Sequence, residues 1–131
     1  MTEEKVPNEL RYTKSHEWVK VEGDSVTVGI TDHAQGQLTD IVFVDLPANG
    51  KAAVKSTSLL VLESVKTVAD VYAPGNGKVA EANVALKTHP ELVNQDPYGK
   101  GWLVRLELSG PLDEAGLLSA EAYRELVAAS G

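Results

Sequence analysis

A two-residue alternation of apolar and polar positions dominates this chain as far as Leu108, and a sustained helical period sets in only after Gly110-Pro111. Val26, Val28 and Ile30 alternate with Ser25, Thr27 and Gly29, which sends every second side chain to one face. With residues 17–21 across Glu22-Gly23-Asp24 from them, they predict a hairpin closed by a glycine-containing turn. Thr31 or Asp32 can cap a short helix over residues 33–38, because a side-chain oxygen there accepts from an otherwise orphaned amide, and Gly36 keeps that helix brief. Residues 41–44 are almost continuously apolar and predict a strand buried on both faces. Further strands are predicted over residues 79–84 and 102–108, separated by a Pro-, Asn-, Asp- and Gly-rich segment with one helical turn at 90–93. In the last segment Leu118, Ala122, Leu126 and Val127 share a helical face, Ser119 suits the N-cap, and Glu121 suits the positive end of the helix dipole.

Residues 59–72 organise the rest. Leu59-Leu60-Val61-Leu62 runs into Glu63-Ser64-Val65-Lys66-Thr67, and Val68, Val71 and Tyr72 follow before Ala73-Pro74-Gly75-Asn76-Gly77. The stretch is much longer than the usual strand of about five or six residues. It therefore predicts two strands folded back at Val65-Lys66, with the lysine held out at the tip. Neither crest residue is Gly or Asn, so the favoured two-residue turns are not signalled. The turn segments Leu46-Pro47-Ala48-Asn49-Gly50-Lys51 and Ala73-Pro74-Gly75-Asn76-Gly77-Lys78 resemble each other and hint at two related halves.

Composition narrows the chemistry. A chain of 131 residues is expected to fold as one domain, 1–131, with a core that needs no metal or disulfide staple. Aromatic residues make up only 5%, so aliphatic side chains must build the interior. A net charge of −7 argues against nucleic acid or an anionic membrane as partner, since both need a basic footprint. There is no cysteine, so any sulfur redox chemistry must come from an attached group. Met1-Thr2-Glu3-Glu4-Lys5 has the character of neither a signal nor a transit peptide, and no apolar run has membrane-spanning length. A cytoplasmic bacterial protein is the plain expectation, with a mature mitochondrial form left open.

A lysine at a hairpin tip is ordinarily a solvated charge that blunts a sheet edge. Here its neighbours change that reading. Glu63-Ser64-Val65-Lys66-Thr67 followed by Asp70-Val71-Tyr72-Ala73-Pro74 resembles the lipoylation site of the glycine cleavage H-protein family. Thr13-Lys14-Ser15-His16-Glu17-Trp18-Val19, Val28-Gly29-Ile30-Thr31-Asp32-His33-Ala34-Gln35, and Asp40-Ile41-Val42-Phe43-Val44 with Leu46-Pro47 are similar to further motifs of that family. So are Pro90-Glu91-Leu92-Val93-Asn94, Asp96-Pro97-Tyr98-Gly99 and Gly101-Trp102, in the family's order and over nearly the whole chain.

The resemblance implies a mainly β fold, a barrel-sandwich hybrid of two antiparallel sheets. Its core would span about 10–110, with short helices and a C-terminal helix at about 117–129. It implies a carrier rather than an enzyme, with lipoate amide-linked to Lys66. The partners implied are a glycine decarboxylase that loads an aminomethyl group, a tetrahydrofolate-dependent aminomethyltransferase that unloads it, and a dihydrolipoamide dehydrogenase that reoxidises the dithiol. A lipoate ligase or a lipoyl/octanoyl transferase would attach the group. Glu63 is assigned to recognition by that attaching enzyme. Ser15, Glu17 and Asp70 are assigned to a cleft for the arm, where carboxylates and hydroxyls would surround a protonated amine and exclude water. A monomer is expected.

Other residues receive plainer assignments. His16, His33 and His89 match no metal-ligand spacing, and His33 suits a structural role. Trp18, Trp102 and Tyr98 are core or cleft wall, and Gly99-Lys100-Gly101 is a turn. The chain departs from the family's common pattern at Leu38-Thr39-Asp40, where Leu-Gly-Asp is usual. It departs again at Ser56-Thr57-Ser58, where Gly-Glu is usual, and at Gly75, where a bulkier residue is usual. Rival readings keep the fold and change the cargo. A biotinyl carrier has Met on both sides of its lysine, against Val65 and Thr67 here, and a 2-oxoacid dehydrogenase lipoyl domain has Asp before it. A role relaying lipoate to other proteins stays open, as does a scaffold without cofactor. A Schiff-base lysine would need a desolvated pocket, which a hairpin tip does not offer.

Overall fold

The structure is a computed structural model describing residues 5–130, so the segment read above as neither signal nor transit peptide lies, apart from Lys5, outside the described residues. The alternating segments become strands: β1 (Arg11–Tyr12), β2 (Glu17–Glu22), β3 (Ser25–Ile30), β4 (Ile41–Asp45), β5 (Ala52–Ala53), β6 (Ser58–Ser64), β7 (Val68–Tyr72), β8 (Gly77–Ala82) and β9 (Val104–Leu108). They form two antiparallel sheets, ordered β1-β2-β3-β9-β8-β5 and β4-β6-β7. The two sheets share one core but do not close into a barrel. Val26, Val28, Val79 and Leu106 enter it from the larger sheet, and Ile41, Val44, Leu62 and Val71 from the smaller.

The first hairpin closes at Gly23, whose φ of 64° only glycine adopts without strain, and Glu22 pairs with Ser25. The look-alike turn segments are neighbours. Gly50 donates to the Val79 carbonyl (2.7 Å), Val79 to the Lys51 carbonyl (2.8 Å), and Ala52 and Ala53 pair with Lys78 and Gly77.

Helix α1 (Asp32–Leu38) is capped by Thr31, whose hydroxyl accepts from the Ala34 amide. Between β8 and β9 lie a 3-10 turn at Val84–Lys87 and a one-turn helix α2 (Leu92–Gln95). The C-terminal helix α3 (Ala120–Ser130) starts three residues later than the expected 117, because Glu114–Gly116 forms a 3-10 turn and Leu118 bridges Tyr12. Ser119 caps it, accepting from the Ala122 amide at 3.2 Å. This helix closes a second apolar cluster of Leu10, Tyr12, Trp18, Ala120 and Tyr123. Trp18 lies so close over Gly29 that a Cβ there would overlap the indole.

One expectation is overturned. Residues 41–44 are not buried on both faces: Val42 and Phe43 are 52% and 51% exposed. β4 is an edge strand, and at the register shift between Ile41 and Phe43 the side chains of Val42 and Phe43 face outward.

Candidate functional site

Lys66 stands at the tip between β6 and β7, exposed, and its ammonium makes no hydrogen bond or ion pair among the described residues. The tip is nevertheless stiff. Ser64 donates from its amide to the Thr67 carbonyl at 2.8 Å, and its hydroxyl accepts from the amides of Lys66 (3.2 Å) and Thr67 (3.0 Å). The side chain thus replaces the backbone carbonyl that would close an ordinary two-residue turn, and neither Val65 nor Lys66 has positive φ. A second brace comes from outside the hairpin, where the Val65 amide donates to the Asp40 carbonyl at 3.0 Å. The sequence reading missed both Ser64 and Asp40. A hydroxyl immediately before the crest was the available signal for the first, and a bond between distant segments left none for the second.

β7 is the edge of its sheet, and a cleft of about 160 Å³ runs along it. Ser15 and Glu17 form one side, α1 supplies Ala34, Gln37 and Leu38, and the hairpin supplies Leu62, Ala69, Asp70 and Val71. The three residues assigned to an arm cleft therefore do line one cavity. Asp70 is four residues from Lys66, about 13 Å along an extended strand. That is close to the span of a lysine side chain lengthened by an eight-carbon acyl group.

The two carboxylates are held differently. Glu17 is 1% exposed, and its oxygens accept from the hydroxyls of Thr13 and Ser15 (2.6 Å for Ser15) and from the Tyr72 amide (3.2 Å). Its charge is thus largely used inside the protein, tying the segment before β2 to the end of β7. Asp70 is exposed and accepts only from the Ser58 hydroxyl (2.7 Å) among the described residues, so it retains oxygen lone pairs for a ligand. Glu63 is exposed, pairs across the smaller sheet with Phe43 and Val68, and is not part of the cleft wall.

A larger cleft of about 490 Å³ lies beyond Glu17, lined by Lys14, Lys55, Tyr72, Pro74 and Leu117 among others. Tyr72 is roughly 20 Å along the strand from Lys66, so this cavity belongs to the far end of β7. The aromatic residues form a wall elsewhere. Trp18 donates to the Pro97 carbonyl at 2.9 Å, and Trp18, Tyr98 and Trp102 line a third hollow. His89 pairs with Glu91 at 3.1 Å, well away in sequence and partner from the neighbouring rings of His16 and His33.

A family model described as Glycine cleavage H-protein matches residues 10–130. The chain is 53% identical over 118 residues to the glycine cleavage system H protein of Symbiobacterium thermophilum, covering 90% of this chain and 92% of that one. It is 52% identical over 124 residues to the H protein of Thermus thermophilus, covering 93% and 95%. The crystal structure of a glycine cleavage system H protein from Mycobacterium marinum matches with a TM-score of 0.86 at 37% identity, over 94% of this chain and 99% of that one. With its two-sheet fold and exposed lysine hairpin, this chain belongs to the glycine cleavage H-protein family, the lipoyl-carrying component of that system and not one of its catalysts.

Proposed function

We propose that Lys66 is the lipoyl attachment site and that the cleft beside β7 receives the loaded arm. The observation that carries this reading is the exposed Lys66 ammonium, without a partner among the described residues, on a tip braced by Ser64 and Asp40, with an acid-lined cleft one arm's length away. A ligase must reach the amine, which exposure permits, and the arm must start from a fixed point, which the two braces supply. When bound as an amide, lipoate supplies the dithiol chemistry that a chain without cysteine lacks.

The chain's own residues bind, orient and shield. Asp70 attracts a protonated amine brought along β7 and is itself oriented by Ser58. Ser15, whose proton goes to Glu17, keeps lone pairs free to accept from the same amine. Glu17 adds negative potential from beneath, while Leu38, Leu62 and Ala69 displace water. Glu63, on the outer face near the tip, marks the lysine for the attaching enzyme, a lipoate ligase or lipoyl/octanoyl transferase. In this reading one carrier domain takes an aminomethyl group from glycine decarboxylase to the tetrahydrofolate-dependent aminomethyltransferase. It then presents the dithiol to dihydrolipoamide dehydrogenase. A cytoplasmic setting is in keeping with the bacterial relatives, and no helix among the described residues is long and apolar enough to cross a membrane.

The test is co-expression with a lipoate ligase and peptide mapping by mass spectrometry. Lipoate on Lys66, absent from Lys66→Arg, is expected; modification at another lysine would overturn the assignment. For the cleft, Asp70→Ala and Ser15→Ala should shorten the lifetime of the loaded carrier in water, and unchanged lifetimes would remove these residues from the site.

A further inference from the structure

Ser15 and Glu17 flank a residue that the cleft reading leaves unused. His16 has φ 71°, a left-handed backbone that a non-glycine residue keeps only where its surroundings over-determine it. Its backbone is tied on both sides: its amide donates to the Thr13 carbonyl (3.1 Å), and its carbonyl accepts from the Thr31 amide (3.0 Å). Its ring is tied from further away. Nδ1 lies 2.7 Å from the Tyr123 hydroxyl, with the two rings edge to face. Tyr123 is fully buried on α3, stacks on Tyr12 at 4.7 Å between centroids, and also places its hydroxyl 2.7 Å from Thr31 Oγ1.

Thr31 turns this local brace into a link across the cleft. Its hydroxyl accepts from the Ala34 amide (3.1 Å) and so starts α1, the helix that carries Ala34, Gln37 and Leu38 along the opposite wall. A single phenol therefore holds the ring between Ser15 and Glu17 and the cap of the facing helix. The protons balance: Thr31 Oγ1, having accepted from Ala34, can donate to Tyr123, whose own proton goes to His16 Nδ1. Phenylalanine at this position would keep the stack on Tyr12 and lose both bonds.

We propose that Tyr123 is a positioning residue of the arm cleft, and that α3 acts through its hydroxyl as a clamp fixing the separation of the two walls. The proposal rests on the cleft reading given under the proposed function. It assigns the C-terminal helix a part in shielding the cargo, although none of its residues touches the cleft.

Two measurements test it. On the chain without lipoate, amide hydrogen exchange by NMR is compared for wild type, Tyr123→Phe, Thr31→Val and Thr31→Ser. Tyr123→Phe and Thr31→Val should speed exchange at Thr31, Ala34 and Tyr72 roughly three- to tenfold, the effect of one lost buried hydrogen bond on local opening. Val65 and Thr67 at the tip and Leu106 in the core should keep their rates, and Thr31→Ser should behave as wild type. Equal acceleration at every amide would make Tyr123 a general stabiliser and overturn the proposal, as would no change at all. On the loaded carrier, Tyr123→Phe should shorten the lifetime about threefold without slowing lipoylation. Asp70→Ala separates the two ideas. If it leaves the lifetime untouched, the cleft reading fails and the exchange data alone judge the clamp. If it shortens the lifetime and Tyr123→Phe does not, the clamp alone has failed.

Discussion

Two hairpins in this chain solve the same steric problem by opposite means. The β2–β3 turn reverses at Gly23 with φ 64°, the conformation for which glycine is the economical residue. The β6–β7 turn reverses between the paired residues Glu63 and Val68, yet its crest is Val65-Lys66 and neither residue has positive φ. Its closure is carried by the Ser64 hydroxyl, which receives the two amides that the backbone geometry leaves over. On the proposed reading of Lys66, the difference follows from what each turn must display. A turn that only reverses the chain can be built of glycine; one that presents a modifiable lysine must seat a side chain at the crest and find its stiffness elsewhere.

The sharpest test of that contrast is Lys66→Arg. Lipoylation should disappear entirely while the melting temperature stays at its wild-type value, because the tip is held by Ser64 and Asp40 and not by the lysine. A lowered melting temperature, read by circular dichroism, would mean that the lysine is part of the structure it is thought merely to stand on.

Next in size is the comparison of the two carboxylates. Glu17→Ala empties a buried position and takes the shared acceptor from the Thr13 and Ser15 hydroxyls and the Tyr72 amide, and should cost about 3 kcal/mol of unfolding free energy. Asp70→Ala removes an exposed group and should stay within about 0.5 kcal/mol of wild type. Urea unfolding reads both. Equal costs would mean that the division into a structural acid and a ligand-facing acid is wrong.

What the sequence made legible follows the same line between local and distant causes. Strand alternation, the Gly23 turn and a cap at Thr31 or Asp32 are local signals, and the length of the 59–72 stretch implied the fold-back at Val65-Lys66 although its crest residues did not; the structure contains each, with Thr31 as the cap. Ser15, Glu17 and Asp70 came from motif resemblance, since nothing in their spacing says that the segment before β2 would lie beside β7. The apolar run at 41–44 misled because period and hydrophobicity do not reveal that β4 is an edge strand with a shifted register. Tyr123 was passed over for its neighbours Ala122, Leu126 and Val127, although its place three and four residues before Leu126 and Val127 puts it on their face. Its burial is complete, and its two hydroxyl partners lie on segments that no helical period could bring in.

Smaller effects are expected at the turns themselves. Gly23→Ala should cost roughly 1 kcal/mol by forcing a Cβ into the left-handed region, with no change in lipoylation. Ser64→Ala should cost less in stability, since its two amides can turn to water. It should nevertheless slow lipoate transfer several-fold and speed amide exchange at Lys66 and Thr67. The two variants thus dissociate stability from presentation, one effect at each hairpin; a Ser64→Ala chain lipoylated at the wild-type rate would show that the brace is dispensable.

The smallest expected change is a gain. Thr39 ends α1 with φ 63° and ψ −152°, a region essentially reserved for glycine, and it stands where the family commonly has glycine. Ser56, in the second departure from the family pattern, has φ 69°. Both positions hold a left-handed φ although neither residue is glycine. At Thr39 the reason is visible: its carbonyl accepts from the Asn94 side chain at 2.8 Å, and the next residue, Asp40, gives its carbonyl to Val65 at the tip. Both are backbone acceptors and survive Thr39→Gly. Relief of the strain, offset by the greater freedom of glycine when unfolded, should leave a net gain of about 0.5–1 kcal/mol and a melting temperature higher by about 3 °C. Lipoylation should not change, because the Asp40 brace is already in place in the wild type. A faster transfer in Thr39→Gly would instead mean that strain at the end of α1 reaches the lysine hairpin and sets how it is presented.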